Sequence, residues 1–477
     1  SYHGGDFAGL QKKLSYLKDL GVNTIWITPI VSNSDTTTEK EDEEIESTGY
    51  HGYWADDFTK LNPHLGTEKE FSSLIKAVHK NGMKLMVDVV LNHAGYETSD
   101  YFNTLLKDDD GNYIPMIRDD SNTITGDDVY SSLSGLPDFV TENEAVRDQL
   151  IDWQTNWVEK YGIDYFRIDT VKHVDKTTWS ALKNELTAID PQFKMIGEYA
   201  GAGYANNAEM LGTGRMDSLL DFDFNDQAQS FVNGNISSVE TFLENRNKSL
   251  NNTATLGSFL SSHDEDGLVY KLINENGFKE DEALDLFKVV ASLQLTAKGQ
   301  TIIYYGEELG QYGANDYPYQ TNRYDFDWDE AEKQAKDQDS MLNHYKKLLK
   351  IRNQYKDIFT KGNREKVVAS DEEKYEVFKR TSYKNSLYVG LNLNSTDKEV
   401  TVKVDSKKGV KYKDLYTGKT YTTDKNGKVK ITIPATSKGG TSILVKNDKP
   451  STKINFKSYI TKLMDIFNTY VKDQYKK

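Results

Sequence analysis

Short apolar runs alternate with longer stretches of helical periodicity along roughly the first 360 residues. The runs are rich in β-branched and aromatic residues, a composition that favours strands over helices. The predicted strands are residues 24–29, 84–91, 163–169, 194–198, 218–222, 257–262 and 302–305. The clearest predicted helices are residues 7–20, 69–81, 144–161, 280–297 and 339–353. Strands and helices that alternate in this way predict a parallel sheet of βα units.

The number of consecutive βα units favours a closed barrel over an open sheet. The predicted fold class is therefore α/β, a (β/α)8 TIM barrel made of residues 1–93 and 142–360. Such a barrel needs eight strands and the pattern supplies seven. Either one strand is missing from the pattern, or the first barrel strand is absent from the chain, as we expect.

Two stretches interrupt the alternation. Residues 94–141 are turn-rich and contain no βα unit, which predicts an inserted domain B after the third barrel strand. Residues 361–447 hold short strands separated by Gly, Asn and Asp turns, which predicts a C-terminal antiparallel β-sandwich, domain C. The strands predicted there are residues 375–379, 386–393, 400–404, 428–433 and 442–445.

Residues 448–477 form a predicted amphipathic helical tail, because apolar side chains recur along one helical face of residues 454–477. A helix packed on its own domain and a helix lying on a membrane surface both fit this pattern.

The composition narrows the function classes. Of the 477 residues, 37% are hydrophobic and 28% charged, which is polar for a globular chain, but the aromatic share of 12% is far above that of disordered chains. A net charge of −15 argues against a nucleic-acid partner. With no Cys, disulfides, thiolate metal sites and cysteine nucleophiles are excluded. No apolar run reaches the roughly 18 residues of a membrane span. The start at Ser1 without a signal peptide is expected of a processed or shortened chain.

Carboxylates follow three of the predicted strands, where the active site of such a fold lies. A pair of carboxyl groups, one ionised and one protonated, is what glycoside hydrolysis requires, and clustering raises the pKa of one member. A cation two residues before one of them lies on the same strand face and would hold it ionised. For any single Asp at a strand end, a helix cap is the alternative. The carboxylates are Asp169, Glu198 and Asp264, with Arg167, His93 and His263 beside them.

Further segments, Tyr50-His51-Gly52-Tyr53-Trp54 and Leu136-Pro137-Asp138, occur in order with these. Together they resemble glycoside hydrolase family 13, the α-amylase family, over nearly all of residues 1–445. The resemblance implies that Asp169 is the nucleophile and Glu198 the general acid/base. Asp264 would be the third carboxylate, which orients substrate hydroxyls and stabilises the transition state.

The resemblance also implies a set of substrate-binding residues. Tyr53 would stack on the sugar ring, and Lys172 and His173 would contact the leaving-group side. Arg323, with Asp316 as its partner, would bind sugar on the other side of the cleavage point. The full implied set is Tyr53, His51, His93, Arg167, Lys172, His173, His263, Asp316 and Arg323.

A calcium site between domain B and the barrel is implied as well, with Asn92, Asp138 and the His173 carbonyl as ligands. Oxygen ligands of this kind suit Ca²⁺. A helix cap is the alternative role for Asp138, which precedes the helix beginning at Glu144.

The function implied is a secreted, endo-acting, retaining hydrolase of α-1,4-glucosidic bonds. Its partners would be starch, maltodextrin and maltooligosaccharides, with Ca²⁺ as cofactor. We expect a monomer, extracellular or attached to the cell surface. Two alternatives stay open: a maltooligosaccharide transglycosylase that uses the same residues, and a catalytically silent starch-binding protein.

Overall fold

The structure, a computed structural model, describes residues 4–34, 38–39, 46–212, 214–250, 255–316 and 320–447. The predicted helical tail, residues 448–477, lies outside the described residues.

Seven parallel strands form one sheet, as the alternation of strands and helices predicts. They follow one another across the sheet in chain order, so each βα unit adds its strand beside the previous one. The strands are Thr24–Ile27 (β1), Lys84–Val89 (β2), Tyr165–Ile168 (β3), Lys194–Gly197 (β4), Ser218–Asp221 (β5), Thr255–Phe259 (β6) and Gln300–Ile302 (β7).

The sheet is curled into part of a barrel. Trp26 of β1 and His263, which follows β6, bring their rings to 5.9 Å of each other across the mouth of the sheet. The outer strands β1 and β7 do not pair with each other, and the eighth strand of a closed barrel is not among the described residues. The carboxyl ends of the strands therefore surround a common space.

Helices cover the outside of the sheet because each presents one apolar face to it. Glu68–Lys80 begins at a capping box of Thr67 and Glu70 and buries Phe71, Leu74, Ile75 and Val78. The other helices of the barrel region are Phe7–Lys12, Leu14–Leu20, Glu144–Tyr161, Lys176–Ile189, Phe222–Val232, Ile236–Ser249, Leu268–Asn274, Glu280–Leu295, Trp328–Gln334, Met341–Gln354 and Lys356–Lys361.

One predicted helix, residues 7–20, is two helices in the structure, and the prediction of a continuous helix was wrong. The break falls at Lys13, whose backbone angles are φ −106° and ψ 7°. Phe7 and Leu14, both buried, then face the core from two separate short helices.

The inserted segment contains little regular structure: helix Ser99–Phe102 and the paired strands Leu106–Lys107 and Tyr113–Ile114. A β-bridge joins His93 to Asp138, so the two ends of the segment meet just beyond β2. This places the loop between them over one side of the barrel mouth.

Beyond the barrel, eight strands form the antiparallel domain. Six make one sheet in the order Asn363–Ser370, Tyr375–Ser382, Asn385–Asn392, Thr441–Lys446, Lys411–Asp414 and Thr420–Thr422. Lys398–Lys403 pairs with Lys428–Ile433 as a second sheet. The prediction missed Asn363–Ser370, Lys411–Asp414 and Thr420–Thr422. Phe378, Leu387 and Val389 share a hydrophobic core with the helix Glu280–Leu295, so the domain is packed directly on the barrel.

Among the described residues, no helix is both long enough and apolar enough to cross a membrane.

Candidate active site

Arg167 of β3 is the centre of the predicted carboxylate cluster. Its Nη1 donates to Asp169 Oδ1 at 2.9 Å and to Asp88 Oδ1 at 3.0 Å, and its Nη2 lies 3.2 Å from Glu198 Oε2. The guanidinium is buried and is stacked near the ring of Trp26. One cation therefore holds three carboxyl groups from three neighbouring strands.

The strand register explains this convergence. Asp88 of β2 lies directly beside Arg167, and Ile168 of β3 beside Gly197 of β4. The next residues, Asp169 and Glu198, therefore leave the sheet side by side. The Glu198 amide still donates to the Ile168 carbonyl at 2.8 Å, so both carboxylates are anchored by the last bonds of the ladder.

Burial and the adjacent Glu198 carboxylate raise the pKa of Asp169, while Arg167 acts in the opposite direction. The Arg167 guanidinium therefore offsets part of the cost of holding these carboxyl groups side by side in a buried site. Two carboxyl groups held this close to each other can act as nucleophile and acid/base in one reaction.

Thr170, directly after Asp169, has a left-handed backbone with φ of 48°. This conformation is unusual for a β-branched residue. It directs the Thr170 amide to Glu198 Oε2, 3.1 Å away. The chain thus turns sharply after the predicted nucleophile, and this turn adds a second donor to the carboxylate pair.

Tyr53 links the cluster to the third carboxylate. Its hydroxyl donates to Asp88 Oδ2 at 2.6 Å and lies 2.8 Å from His263 Nε2, which is itself 3.0 Å from Asp264 Oδ2. The Tyr53 and His263 rings are nearly parallel, with centroids 5.8 Å apart. Burial, with Arg167 and Arg323 nearby, lowers the pKa of His263 to about 3, so the ring is neutral near pH 7.

Arg323 contacts Asp264 directly. Its Nη2 lies 3.2 Å from Asp264 Oδ1, and its Nη1 donates to the Tyr50 hydroxyl at 2.9 Å. The Tyr50 hydroxyl also bonds to the Gln320 side chain. Asp316 is exposed, and the described residues show no hydrogen bond or ion pair between it and Arg323.

His51 and His93 hold Tyr53 from either side. His51 Nδ1 accepts from the Tyr53 amide at 3.0 Å, and His93 Nε2 lies 3.1 Å from the Tyr53 carbonyl. Burial lowers the pKa of His51 to about 3 and that of His93 to about 4. Both rings are therefore neutral near pH 7.

Lys172 and His173 lie at the side of the cleft formed by the inserted segment. Lys172 Nζ is 3.2 Å from Asp128 Oδ2, and His173 Nδ1 is 2.8 Å from the Asp128 carbonyl. The loop that carries Asp128 is thereby tied to the turn that follows Asp169.

The three predicted calcium ligands are brought together beside this turn. One end of the Asn92 amide lies 2.9 Å from the His173 carbonyl oxygen and 3.1 Å from Asp138 Oδ1. If that end is the amide oxygen, three oxygens form the kind of set that binds a hard cation; if it is the NH2 group, it donates to both. The donor chemistry therefore fits Ca²⁺. In the described part of the chain, no cluster of three or more His, Asp or Glu side chains is arranged to hold a metal.

The second oxygen of Asp138 is bound by Arg118 of the inserted segment. Arg118 Nε donates to Asp138 Oδ2 at 2.7 Å, and its two Nη atoms bind Glu142 at 2.6 and 2.8 Å. This guanidinium is buried and permanently charged. It joins the inserted segment to Glu142, at the start of the barrel region. The sequence reasoning did not identify Arg118.

Two residues of the central network were also missed as site residues. Asp88 accepts hydrogen bonds from Arg167, Tyr53 and Trp26 Nε1 and is fully buried. Burial raises its pKa to about 6. The available signal for Asp88 was a lone charge inside the otherwise apolar run 85–91, because buried charges need partners. Nothing in the sequence signals the role of Trp26.

A curled parallel sheet with three carboxylates at its strand ends is the arrangement of a barrel enzyme, whose active site lies at that end of the strands. A sequence profile described as "Alpha amylase, catalytic domain" matches residues 2–123 and 125–331, more than half of the chain. The chain therefore belongs to the α-amylase family, glycoside hydrolase family 13.

Known proteins with similar sequences carry several amylase-type names. An α-amylase of Streptomyces lividans is 31% identical over 66% of this chain and 41% of its own length. A cyclomaltodextrinase of Geobacillus thermopakistaniensis is 26% identical over 85% of this chain and 65% of its own length. The chain thus spans less than two thirds of either relative.

The fold agrees with solved structures over almost the whole chain. The crystal structure of the Geobacillus thermoleovorans α-amylase complexed with acarbose has a TM-score of 0.76 and 25% sequence identity. The match covers 94% of this chain and 93% of that one. The sheet described above is accordingly the (β/α)8 fold of this family, with its C-terminal β-sandwich.

Proposed function

We propose that the chain is an endo-acting α-amylase that hydrolyses α-1,4-glucosidic bonds in starch and maltodextrins with retention of configuration. The observation that carries the proposal is the Arg167 cluster, in which Asp169 and Glu198 lie side by side at strand ends and Asp264 is joined to them through Tyr53 and His263. Membership of the family and the acarbose complex of a related structure support the substrate class.

In this mechanism Asp169 attacks the anomeric carbon while Glu198 gives its proton to the leaving glycosidic oxygen. The bond from the anomeric carbon to that oxygen breaks as the bond to Asp169 forms. Arg167, bonded to Asp169, stabilises the carboxylate form that attacks, against the burial that raises the pKa of this group. Water, deprotonated by Glu198, then releases the sugar from Asp169.

Tyr53 and the neutral His263 shape the site for the reacting sugar ring. Tyr53 presents its ring to the substrate while its hydroxyl stays fixed on Asp88. Asp264 is half exposed, with 46% of its side chain accessible, so it can reach sugar hydroxyls. Lys172 and His173 lie where the leaving portion of the chain would be bound.

We also propose that Ca²⁺ binds Asn92, Asp138 and the His173 carbonyl. The ion would supply a structural link between the inserted segment and the turn that follows Asp169. Calorimetric titration with Ca²⁺ after EDTA treatment tests this proposal, with Asp138→Asn as the variant expected to weaken binding. Equal binding by both proteins would contradict the ligand assignment.

The test of the activity is proton NMR of the anomeric region while the chain acts on soluble amylose with calcium present. We expect new α-anomer before mutarotation, and none from the Asp169→Asn variant. First appearance of the β-anomer would contradict the retaining mechanism. No cleavage by the wild-type chain would contradict the proposed activity.

A second candidate is transfer of the glycosyl group to another sugar. It is favoured by the likeness of this fold to the crystal structure of a cyclomaltodextrin glucanotransferase with three domains, which has a TM-score of 0.75 and 25% sequence identity. The same carboxylates serve both reactions, and only the acceptor differs. Product analysis at high maltooligosaccharide concentration separates them, because transfer yields products longer than the substrate.

An extracellular location and a monomeric state complete the proposal, since a polymeric substrate is met outside cells. Fractionation of producing cells, and light scattering of the purified chain, test these two points.

A further inference from the structure

The loop that carries His263 and Asp264 lacks the usual support of a backbone ladder. Strand β6 ends at Phe259, and in the described part of the chain residues 262–266 make no backbone–backbone hydrogen bond. Buried or half-buried carbonyls need partners, so other groups must hold this loop.

Asn322 supplies most of these partners. Its Nδ2 lies 3.3 Å from the Ser262 carbonyl oxygen, 3.1 Å from that of His263 and 3.0 Å from that of Glu265. Three acceptors surround one end of the amide, so that end is the NH2 group. A single side chain therefore collects three carbonyls of the loop that carries Asp264.

Two neighbours complete the arrangement. Asn315 Nδ2 donates to the Asp264 carbonyl at 2.8 Å, and Arg323 Nε donates to the His263 carbonyl at 3.0 Å. All four consecutive carbonyls from Ser262 to Glu265 thus lie within hydrogen-bond distance of the side chains of Asn315, Asn322 and Arg323.

The position of Asn322 is itself fixed by its backbone. Its amide donates to the Ala314 carbonyl at 3.1 Å, and its carbonyl accepts from the Tyr304 hydroxyl at 2.8 Å. Gly313 packs so tightly here that an added Cβ would lie 2.2 Å from the Thr321 carbonyl carbon. The side chain is 1% exposed, so it makes no contact with substrate and acts only through the loop.

We propose that Asn322 is a positioning residue for Asp264 and His263, and that its two N–H groups, shared among three carbonyls, set the geometry of the third carboxylate. This inference rests on the proposed function, because the geometry matters for turnover only if Asp264 acts in the transition state. Displacement of a catalytic group by about 1 Å costs on the order of 100-fold in rate. Removing the amide should therefore lower kcat more than it changes KM.

The chain offers a matched control in Asn225. This buried side chain donates through Nδ2 to the carbonyls of Phe259, at 3.3 Å, and Leu260, at 3.0 Å. It uses the same chemistry on the same chain segment, but it stops before the loop with Asp264. Asn225→Ala should thus report the structural cost of losing such bonds without the positioning effect.

The first test compares Asn322→Ala and Asn225→Ala by thermal unfolding and by kinetics on maltooligosaccharides. We expect similar losses of Tm, a kcat lower by about 10–100-fold for Asn322→Ala, and a kcat within about threefold of wild type for Asn225→Ala. Equal loss of kcat in both variants would overturn the proposal, since Asn322 would then be merely structural. If Asn322→Ala does not fold, Asn315→Ala replaces it, with a smaller expected loss.

The second test repeats Asn322→Ala in an Asp264→Asn background, on an aryl maltotrioside whose good leaving group keeps slow variants measurable. If Asn322 acts through Asp264, its removal costs little in that background; an equal fold-loss in both backgrounds overturns the proposal.

A crystal structure of Asn322→Ala separates this inference from the proposed activity. The His263–Asp264 loop should be displaced there and unmoved in Asn225→Ala, whether or not the wild-type chain cleaves starch. An undisplaced loop in Asn322→Ala would overturn the positioning role, whereas a displaced loop in an inactive protein would refute only the activity.

Discussion

Two buried arginines of this molecule are each surrounded by carboxylates, but they lie in very different places. Arg167 binds Asp88, Asp169 and Glu198 at the mouth of the sheet. Arg364 lies between the barrel and the C-terminal domain, with its Nη2 2.6 Å from Glu240 and 3.7 Å from Glu376. Both clusters place more negative than positive charge in a poorly solvated environment.

The two clusters differ in how far their carboxyl groups are exposed to solvent. The side chains of Asp169 and Glu198 are 10% and 22% accessible, whereas Glu240 and Glu376 are 0% and 1% accessible. A substrate can reach the first pair but not the second. In the Arg364 cluster, burial and Glu240 likewise raise the pKa of Glu376, but both of its carboxyl groups are closed off from solvent. A perturbed carboxyl pair therefore indicates catalysis only where it borders a cavity.

The largest effect that tests this comparison is expected from Asp169→Asn. Loss of a nucleophile typically costs 10⁴-fold or more, so we expect kcat to fall by at least about that factor. Tm should not fall, because one negative charge leaves a crowded site. Initial rates and calorimetry measure both quantities. Full activity in this variant would refute the nucleophile assignment.

Next in size is Arg364→Met, which leaves Glu240 buried without its cation. Breaking a buried ion pair costs about 3–5 kcal/mol, so the free energy of unfolding should fall by that amount. Turnover per folded molecule should stay within about twofold of wild type. Urea unfolding and kcat at 25 °C check this, with Arg364→Lys as an intermediate control. A tenfold loss of kcat at unchanged stability would show that this cluster is not only structural.

Arg118→Met tests the third guanidinium, at the proposed calcium site. In EDTA we expect the free energy of unfolding to fall by about 3 kcal/mol, because Asp138 and Glu142 lose their buried partner. Calcium should restore more stability in the variant than in the wild type, since an ion bound to the folded state replaces the missing positive charge. Unfolding curves with and without Ca²⁺ measure this difference. The same calcium response in both proteins would contradict the expectation.

A smaller effect on stability is expected from His344, which is buried where the helix Met341–Gln354 contacts the C-terminal domain. Its ring is bonded to Tyr416 and the Lys288 carbonyl, and burial lowers its pKa to about 3. Below the unfolded-state pKa of about 6.5, the unfolded chain binds a proton that the folded chain does not, so stability falls as the pH falls. From pH 7 to pH 5 the wild type should lose about 2 kcal/mol more than His344→Gln. Parallel pH profiles for the two proteins would show that His344 is charged in the folded state.

The sequence predicts most of the scaffold because the barrel strands are short, apolar and regularly spaced. All seven predicted strands exist, although 257–262 is shifted to Thr255–Phe259 and 302–305 to Gln300–Ile302. The helices Lys176–Ile189, Phe222–Val232 and Ile236–Ser249 were not among the clearest patterns. The predicted strand ends differ from the observed ones by a few residues, because the residues that leave the sheet still continue the alternation of polar and apolar positions in the sequence.

The site residues fall into two groups, those that the sequence identifies and those that it does not. Asp169, Glu198 and Arg167 were identified because each follows or lies in a strand, where position along the chain fixes position in space. Asn322 and Arg118 were not, because each acts across a long sequence separation from a segment without periodic pattern. Their partners are carbonyls and a carboxylate that only the folded chain brings near.

The loop held by Asn322 has a consequence for how such a cleft can change over evolutionary time. Because its carbonyls are bonded to side chains rather than to a neighbouring strand, substitutions at 315, 322 and 323 would alter the placement of Asp264 without disturbing the sheet. The barrel strands and the contact that Asp264 makes with the transition state can therefore change independently of each other. Variants at these three positions should change turnover and lose some thermal stability while the strands of the barrel stay in place.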